Sequence, residues 1–377
     1  MNRRFRLMIA LMTALIMSVA AVMGSSAQDV GPVVRHLFYT AADEGGIQQV
    51  FTQTIGGDDD AARQVTQSAA DVLTFGVASD GLAIAYISDG QLWLQPIHTE
   101  EAEALAPITD TQFFSSPVFS TDGRHLAYAD GGIWLLDLAT RETELILADV
   151  PLAENGSNMS DYRIYDPDHF VLGEDGKAAK LVVRVGIWEW QTPGILDLAS
   201  GELTMLEPYL HTRALALYGG KALLYGNGGI AGEMALHLAD SLDDLNASET
   251  VVDFAEITPA TLFVDQAVEI HPGVVRVLGT ALTDLATGAG GWFMFDADLM
   301  TGTAGEVTFM NLADETTQHA VAGEISPDGS IVPIYNDALW TDSGSLTGRV
   351  ALIDLATGEA LDVELPETIG LLHWRPY

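Results

Sequence analysis

The sequence contains no cysteine and very little lysine. Without cysteine among its 377 residues, the chain forms no disulfide bond and offers no thiolate to a metal ion. Lysine occurs only at Lys177, Lys180 and Lys221. A chain of this length buries enough apolar surface to fold without covalent cross-links.

Basic residues of both kinds are scarce. The chain has 16 lysines and arginines against 53 acidic residues, which gives a formal net charge of −37 at pH 7. A negative field of this size repels phosphate groups and therefore excludes nucleic acid and anionic lipid surfaces as partners. The acids are dispersed, and their densest group is "GGDDDAA" at Gly56–Ala62. We interpret the charge as that of a soluble, self-repelling protein; a cation-attracting surface or adaptation to a salty exterior is the alternative.

Signatures of catalysis and metal binding are also missing. The G-x-S-x-G motif of a serine nucleophile elbow does not occur, and "GSLTG" at Gly344–Gly348 has a different spacing and is predicted to be a loop. The consecutive acids of Gly56–Ala62 differ from the alternating D-x-D-x-D-G pattern of a calcium loop, so they form at most a weak cation site. We therefore assign no catalytic residue, no cofactor, no cofactor-binding residue and no metal ligand.

The nine histidines form no H-x-H or H-E-x-x-H pair, so their spacing does not force a metal site. We predict surface or strand-end positions for them: His36, His98, His125, His169, His211, His237, His271, His319 and His373.

The N-terminus has the organisation of an export signal. A basic segment, "MNRRFR", precedes an apolar run of about 18 residues, and small residues stand at Ser25 and Ala27. We predict a signal peptide over residues 1–27, with cleavage between Ala27 and Gln28. An uncleaved membrane anchor is the alternative, because a run of this length can just span a bilayer.

The predicted mature chain, residues 28–377, has 13 basic and 53 acidic residues and a formal net charge of −40. We expect it to be extracytoplasmic, either periplasmic or secreted.

The mature chain is predicted to be all-β and repetitive. Helical periodicity is scarce, while short β-branched or alternating runs bounded by Gly, Asp and Pro recur throughout. The stretch Phe119–Leu147 reads as three strands separated by turns, and the chain contains seven such trios. The strands that begin the trios are "HLFYT", "AIAYI", "HLAYA", "KLVVRV", "ALLYG", "VVRVLG" and "IVPIY".

The two ends of the chain complete one repeat. Six of the trios are each preceded by a fourth strand, but no strand precedes the first trio. The C-terminal segment Ile369–Tyr377 is predicted to be a strand that no trio follows. This arithmetic predicts a single domain, a seven-bladed β-propeller of four-stranded antiparallel blades, in which N- and C-terminal strands share blade 1. The predicted blades are 36–67 plus 369–377, 68–107, 108–149, 150–207, 208–254, 255–310 and 311–368.

The repeat S-x-D-G-x-x-hydrophobic-A-Y followed by I-W-L-x-D-L-x-T-G-E resembles the WD-like repeat of the TolB-type propeller family. Ser120–Glu142, Ala78–Ile97 and Ser326–Tyr335 with Ile353–Glu359 carry the resemblance. It implies the propeller fold and leaves the function open. We expect the propeller alone, without the N-terminal domain of TolB and without the hydrolase domain of propeller peptidases.

Two residue types in the repeats have structural interpretations. The aspartates of the "SDG", "TDG", "EDG" and "PDG" turns are predicted to form turns. The tryptophans near second strands, and Trp374 in the closing strand, are predicted to pack between blades, although they are also suited to a sugar or peptide groove. They are Trp93, Trp134, Trp190, Trp292 and Trp340.

Two functions are compatible with the sequence. The first is a non-catalytic monomeric scaffold that binds a protein, a peptide or a small ligand, and contacts a membrane only through an uncleaved signal. The alternative is a propeller hydrolase or lyase that uses carboxylates or a bound cation in the central channel. Convergence of Asp, Glu and His at the channel would favour the enzyme, whereas an apolar channel would count against it.

The export prediction has a direct test. We expect the protein recovered from outside the cytoplasm to begin at Gln28, because a signal peptidase requires the small side chains at residues 25 and 27. Intact-mass measurement of the exported protein checks this, with an Ala27→Phe variant as the control that blocks cleavage. A mature protein that retains Met1 would support the membrane anchor.

Overall fold

The structure is a computed structural model, which describes residues 34–57, 61–99, 101–109, 115–154, 156–188, 190–207, 211–226, 234–284, 289–310, 320–340 and 346–375. The predicted signal segment lies outside these ranges, as do Asp58–Asp60 of the acidic cluster. In the described ranges no helix is long and apolar enough to cross a membrane. Apart from the short helix Phe254–Ile257 and the 3-10 turn Leu245–Ala247, the regular elements described are β-strands.

Seven antiparallel sheets account for the strands, and the prediction of an all-β seven-bladed propeller is confirmed. Blade 1 consists of β1 (Arg35–Ala42), β2 (Gln48–Ile55), β3 (Arg63–Gln64) and β28 (Leu372–Trp374). Blade 2 consists of β4 (Thr74–Val77), β5 (Ala83–Ser88), β6 (Gln91–Pro96) and β7 (Glu103–Pro107). Blade 3 consists of β8 (Val118–Phe119), β9 (His125–Ala129), β10 (Gly132–Asp137) and β11 (Thr143–Ala148).

In blades 4 to 6 the strands follow one another in chain order from the innermost strand outward. Blade 4 consists of β12 (Ile164–Leu172), β13 (Ala178–Ile187), β14 (Trp190–Asp197) and β15 (Leu203–Met205). Blade 5 consists of β16 (Arg213–Ala216), β17 (Ala222–Tyr225), β18 (Ala235–Ala239) and β19 (Glu249–Asp253). Blade 6 consists of β20 (Thr261–His271), β21 (Val274–Asp284), β22 (Ala289–Asp298), and two short outer strands, β23 (Thr303–Ala304) and β24 (Thr308–Met310).

Blade 7 has three regular strands among the described residues: β25 (Ala320–Ala322), β26 (Ile331–Trp340) and β27 (Leu346–Asp354). The segment predicted as its outermost strand makes one bridge, between Ile353 and Ala360. The "GSLTG" segment, predicted to be a loop, instead contributes Leu346–Gly348 to β27.

The core consists of seven apolar clusters, one for each interface between neighbouring blades. Blades 1 and 2, for example, share a cluster that contains Phe38 and Phe75, both essentially inaccessible to solvent. The cluster of Leu37, Ile331 and Trp374 lies between blades 7 and 1. Because every interface has its own cluster, the sheets form a closed ring rather than an open row.

An aromatic pair recurs on adjacent strands of three blades, the first of them Tyr39 and Phe51 in blade 1. Tyr86 and Trp93 are cross-strand partners in blade 2, and their rings stack with centroids 6.4 Å apart. Tyr128 and Trp134 repeat this pairing in blade 3, also at 6.4 Å. Such pairs stabilise a sheet and present a flat apolar face to the next blade. The prediction that Tyr128 and Trp134 pack between blades is confirmed.

The turn aspartates form the turns predicted for them. Asp80, Asp122, Asp175 and Asp328 each accept a hydrogen bond from the backbone N–H two residues later. Two of them also reach the next blade. Asp122 accepts a 2.9 Å hydrogen bond from the backbone N–H of Ala178, and Asp328 accepts one of 3.0 Å from Arg35 Nε.

Ring closure follows the predicted scheme. The C-terminal strand β28 pairs with β1 through Leu37–Trp374, Phe38–His373 and Tyr39–Leu372. Beyond the strand ladder, Trp374 Nε1 donates a 2.7 Å hydrogen bond to the backbone oxygen of Glu324 in blade 7. Strands from the two ends of the described chain therefore fill one sheet, and that sheet is tied to its neighbour.

Replacement of Trp374 tests the closure. Trp374 is 3 % exposed and packs between blades 1 and 7. We expect Trp374→Ala to lower the free energy of unfolding by about 3–5 kcal/mol, since a large cavity opens at the seam. Chemical denaturation checks this, with Trp190→Ala, at a side chain 37 % exposed, as the matched control that changes the value by at most about 0.5 kcal/mol. Equal effects of the two variants would contradict a closure that depends on β28.

Candidate functional site

The innermost strands border the central channel, and two of them carry a β-bulge at an aspartate. In β12 the pairing with β13 shifts between Pro167 and His169, which leaves Asp168 as the extra residue. In β20 the pairing with β21 shifts between Val264 and Gln266, which leaves Asp265 as the extra residue. A bulge redirects a side chain out of the regular alternation of a strand and is frequent beside functional sites.

Asp168 lies at the centre of a charged group on blades 4 and 5. Its Oδ2 is 2.8 Å from His169 Nδ1, and its Oδ1 is 3.7 Å from Arg184 Nε and 3.6 Å from Arg213 Nη1. Burial alone would raise the pKa of Asp168, but the hydrogen bond from His169 and the two guanidinium groups outweigh it and lower the pKa to about 2. The carboxylate is therefore ionised throughout the physiological range.

His169 is oriented by contacts at both ring nitrogens. Its Nδ1–H donates to Asp168, and its Nε2 accepts a 3.4 Å hydrogen bond from the backbone N–H of Ala216 in blade 5. Only the neutral tautomer protonated at Nδ1 satisfies both contacts. His169 therefore fixes the position of Asp168 relative to blade 5.

Asp265 has the opposite electrostatic character. Asp265 is exposed to solvent, and the protein atoms around its carboxyl group desolvate it only in part. Desolvation raises its pKa to about 6, although Arg213 works against the shift. The two bulge aspartates therefore titrate far apart, a pattern typical of functional carboxyl pairs.

Tyr225 connects this group to the other side of the channel. It is the cross-strand partner of Arg213 and is 9 % exposed. Burial raises its pKa to about 12, and its hydroxyl interacts electrostatically with Arg213, Asp168 and Glu324. Glu324 follows the innermost strand of blade 7, so the charged group of blades 4 to 6 and blade 7 face the same space.

A chain of polar side chains crosses the opposite wall of the channel. Thr74 Oγ1 lies 3.0 Å from Ser116 Oγ, which lies 3.2 Å from His373 Nε2. The other imidazole nitrogen of His373, Nδ1, lies 3.2 Å from Glu324 Oε2. These four residues belong to blades 2, 3, 1 and 7 respectively, so the ring brings them together from distant parts of the sequence.

Gly76 allows the close approach of blades 2 and 3 at this place. A Cβ atom at Gly76 would overlap the backbone oxygen of Pro117, the residue after Ser116. Only glycine permits two innermost strands to lie this close. The contact brings Thr74 within hydrogen-bond distance of Ser116.

Aromatic side chains lie at the rim of blade 4. Trp188, 46 % exposed, occupies the two-residue connection between β13 and β14 and has a left-handed φ of 48°. The corresponding position of blade 2 is Asp89, with φ 50°. A bulky residue in this conformation is strained, and such strain is concentrated at functional positions. The ring of Tyr162 meets that of Trp188 edge to face, with centroids 6.4 Å apart.

The described residues contain no group of three or more His, Asp or Glu side chains that could hold a metal ion. In blade 5 the rings of His211 and His237 have centroids 4.7 Å apart. They are 1 % and 8 % exposed. The prediction of surface or strand-end histidines is wrong for His237, which is buried in the middle of β18, whereas His211 lies just before the start of β16. Burial, together with His237, lowers the pKa of His211 to about 4.

The tryptophan predictions are confirmed in part. Trp93, Trp134, Trp292 and Trp374 pack in the clusters between blades, whereas Trp190 is 37 % exposed and the expectation of core packing is wrong for it. The side chain of Trp340, all of His319 and the signal-cleavage residues Ala27 and Gln28 lie outside what the structure describes.

Sequence reasoning missed the channel cluster. The innermost strands of blades 4 and 6 were predicted to start at His169 and Gln266, directly after the two bulge aspartates, whereas they start at Ile164 and Thr261. The available signals were Pro167 inside a strand and an aspartate interrupting an apolar run at Asp265. Both features mark a bulge once the strand is known to continue through them.

Comparison with known proteins supports the fold. No family model matches the sequence, and no curated protein matches it. The β-propeller domain of the Trilobed protease from Pyrococcus furiosus is similar with a TM-score of 0.50 and 16 % identity, over 88 % of this chain and 96 % of that one.

Two further solved structures are similar at lower TM-scores. TolB from Acinetobacter baumannii has a TM-score of 0.45 and 12 % identity over 91 % of this chain, which spans 65 % of TolB. An oligogalacturonate lyase in complex with manganese has a TM-score of 0.48 and 16 % identity, over 88 % of this chain and 85 % of the lyase. The comparison with the propeller domain of the Trilobed protease supports the propeller fold, and TolB is among the structures of similar fold.

The two bulge aspartates are expected to affect stability in opposite directions. The lowered pKa of Asp168 stabilises the fold above about pH 4, and this contribution is lost as the pH falls towards 2. The raised pKa of Asp265 means that its ionisation opposes folding, a penalty absent below about pH 4 and complete above about pH 6. At pH 7 we therefore expect Asp265→Asn to stabilise the protein and Asp168→Asn to destabilise it.

Urea denaturation near pH 7 and near pH 4 measures both effects. The advantage of Asp265→Asn should disappear at the lower pH, where the wild-type carboxyl is already protonated. A constant advantage at both values would show that the substitution acts through something other than the charge of Asp265.

Proposed function

We propose that the protein is an exported propeller whose central channel binds a small ligand that bears a carboxylate. The observation that carries the proposal is the pair Arg184 and Arg213, which share the single carboxylate of Asp168. Both contacts, at 3.7 and 3.6 Å, are longer than a hydrogen bond. Arg184 Nε is buried and has no hydrogen-bond partner among the described residues.

A buried donor without a partner is costly, so its persistence requires an explanation. Guanidinium groups bind carboxylates through two parallel hydrogen bonds, a geometry that Asp168 does not offer to either arginine here. A ligand carboxylate placed between Arg184 and Arg213 supplies the missing acceptors. The same ligand would replace solvent in a part of the channel that protein already surrounds.

The surroundings favour a ligand that also carries hydroxyl or amino groups. Asp265 and Glu324 offer acceptors, and Tyr225 is the cross-strand partner of Arg213. Trp188 and Trp190, both exposed near the rim of blade 4, offer apolar faces to the rest of the ligand. Few precisely placed polar groups beside aromatic surface are the usual composition of a small-molecule site.

The channel contains two of the chain's few basic residues, Arg184 and Arg213, which share the carboxylate of Asp168. The net charge excludes long polyanions, but two guanidinium groups inside the ring attract a single small anionic group. In this proposal the protein acts as a monomeric extracytoplasmic scaffold, periplasmic or secreted. The competing function, a hydrolase or lyase, is favoured by one observation, the hydrogen-bonded series Ser116, His373 and Glu324.

Isothermal titration calorimetry with D-glucuronate, succinate and glycylglycine, and with uncharged D-glucose as the control ligand, tests the proposal. We expect at least one of the three carboxylates to bind while glucose does not. Arg213→Met should weaken that binding by about tenfold or more, because it removes one charged partner of the carboxylate.

Arg141→Met is the matched control, because Arg141, in the turn between β10 and β11, pairs with Glu103 of the outer strand β7. It should leave the affinity unchanged. Binding of glucose as strong as that of glucuronate, or equal losses in Arg213→Met and Arg141→Met, would contradict a carboxylate site at Arg184 and Arg213.

A further inference from the structure

We propose that Ser116, His373 and Glu324 form a nucleophile relay that hydrolyses small esters entering the channel. We name this set the Ser116 relay. It goes beyond the proposed binding function, because Ser116 and His373 in blades 3 and 1 take no part in the carboxylate site of blades 4 and 5. Glu324 alone is shared by the two proposals.

The distances of the Ser116 relay are those of an activated serine. Ser116 Oγ lies 3.2 Å from His373 Nε2, and His373 Nδ1 lies 3.2 Å from Glu324 Oε2. A nucleophile within hydrogen-bond reach of a base, with the base oriented by a third group, is the general arrangement for nucleophilic catalysis. The two contacts are consistent with a single imidazole tautomer. In it, the Ser116 hydroxyl donates to Nε2 of His373, and Nδ1–H of His373 donates to Glu324.

The fold fixes the imidazole without occupying either ring nitrogen. His373 lies in the middle of β28, where its backbone pairs with Phe38. The ring of Phe75 meets it edge to face, with centroids 4.9 Å apart. Both nitrogens are thus left to Ser116 and Glu324, and neighbouring strands hold the plane of the ring.

The relay is accessible to a substrate. The side chains of His373 and Glu324 are 26 % and 57 % exposed, and Ser116 is half-buried. A contact that served only to join blades needs no such exposure, and the buried Thr74 beside it is 1 % exposed. Thr74, 3.0 Å from Ser116 Oγ, orients the serine hydroxyl and is a positioning residue.

The reaction follows from these roles. Ser116 Oγ attacks the ester carbonyl carbon while its proton passes to His373 Nε2. The bond between the carbonyl carbon and the alcohol oxygen then breaks, and His373 returns the proton to the departing alcohol. Water next attacks the acyl-serine, with His373 again accepting a proton, which releases the carboxylic acid and restores Ser116. The carboxylate of Glu324 stabilises the imidazolium.

The sequence conceals this site because no nucleophile-elbow motif surrounds Ser116. The serine precedes Pro117 at the start of an innermost strand, and its base is 257 residues away in the chain. Serine relays are recognised by geometry and roles rather than by sequence order.

The test uses a fluorophosphonate probe and p-nitrophenyl acetate with the full-length protein. We expect covalent labelling of wild-type protein, located by mass spectrometry at Ser116, and measurable release of p-nitrophenol. Ser116→Ala should abolish the label and lower hydrolysis by at least about 100-fold, whereas Ser115→Ala, at the adjacent buried serine, should retain both.

Glu324→Gln tests the positioning role without disturbing the core, because Glu324 is exposed. It should lower kcat and the labelling rate while KM changes little, and Glu324→Asp should recover part of the rate. Arg141→Met, at an exposed ion pair outside the channel, should retain labelling. Labelling is measured without a carboxylate ligand and calorimetry without an ester, so that a failed carboxylate site and a failed relay give different results. Wild-type protein that is unlabelled at Ser116, or Ser116→Ala that hydrolyses the ester at the wild-type rate, would overturn the proposal.

Discussion

The pairing of β28 with β1 is the interaction on which the rest of the structure depends. A single four-stranded blade cannot bury both of its faces. Each blade therefore requires a neighbour on either side, and an apolar cluster lies at each of the seven interfaces. Leu372 and Trp374 return to the first sheet and join the cluster between blades 7 and 1. Closure also removes the exposed strand edges that a row of blades would present to other chains.

The same strand carries chemistry as well as stability. His373 stands between two residues of β28 that pack in the seam, Leu372 and Trp374, and alternation along the strand directs it to the opposite side. The seam therefore delivers an imidazole between Ser116 and Glu324. A substitution in β28 affects both the ring and this contact, so comparisons of function require variants such as Glu324→Gln that leave the seam intact.

The sequence predicted the regular parts of the fold well. Turn aspartates such as Asp122 and Asp328, and the aromatic pair Tyr128–Trp134, are local features whose spacing repeats with the blade, so pattern alone identified them. The irregular parts were not predictable in this way. Asp168 and Asp265 break the alternation of their strands, and a break looks like the end of a strand unless the pairing partner is known.

By itself, the sequence determined the all-β class, the number of blades and the sharing of blade 1 by both ends, because these follow from strand patterns and turn residues that act locally. Only the tertiary structure decided what faces the channel. Arg184 and Arg213 meet one carboxylate, and Ser116 meets His373 from 257 residues away. Such encounters depend on ring curvature, bulges and the close approach at Gly76, which are properties of packed sheets and leave no periodic trace in the chain.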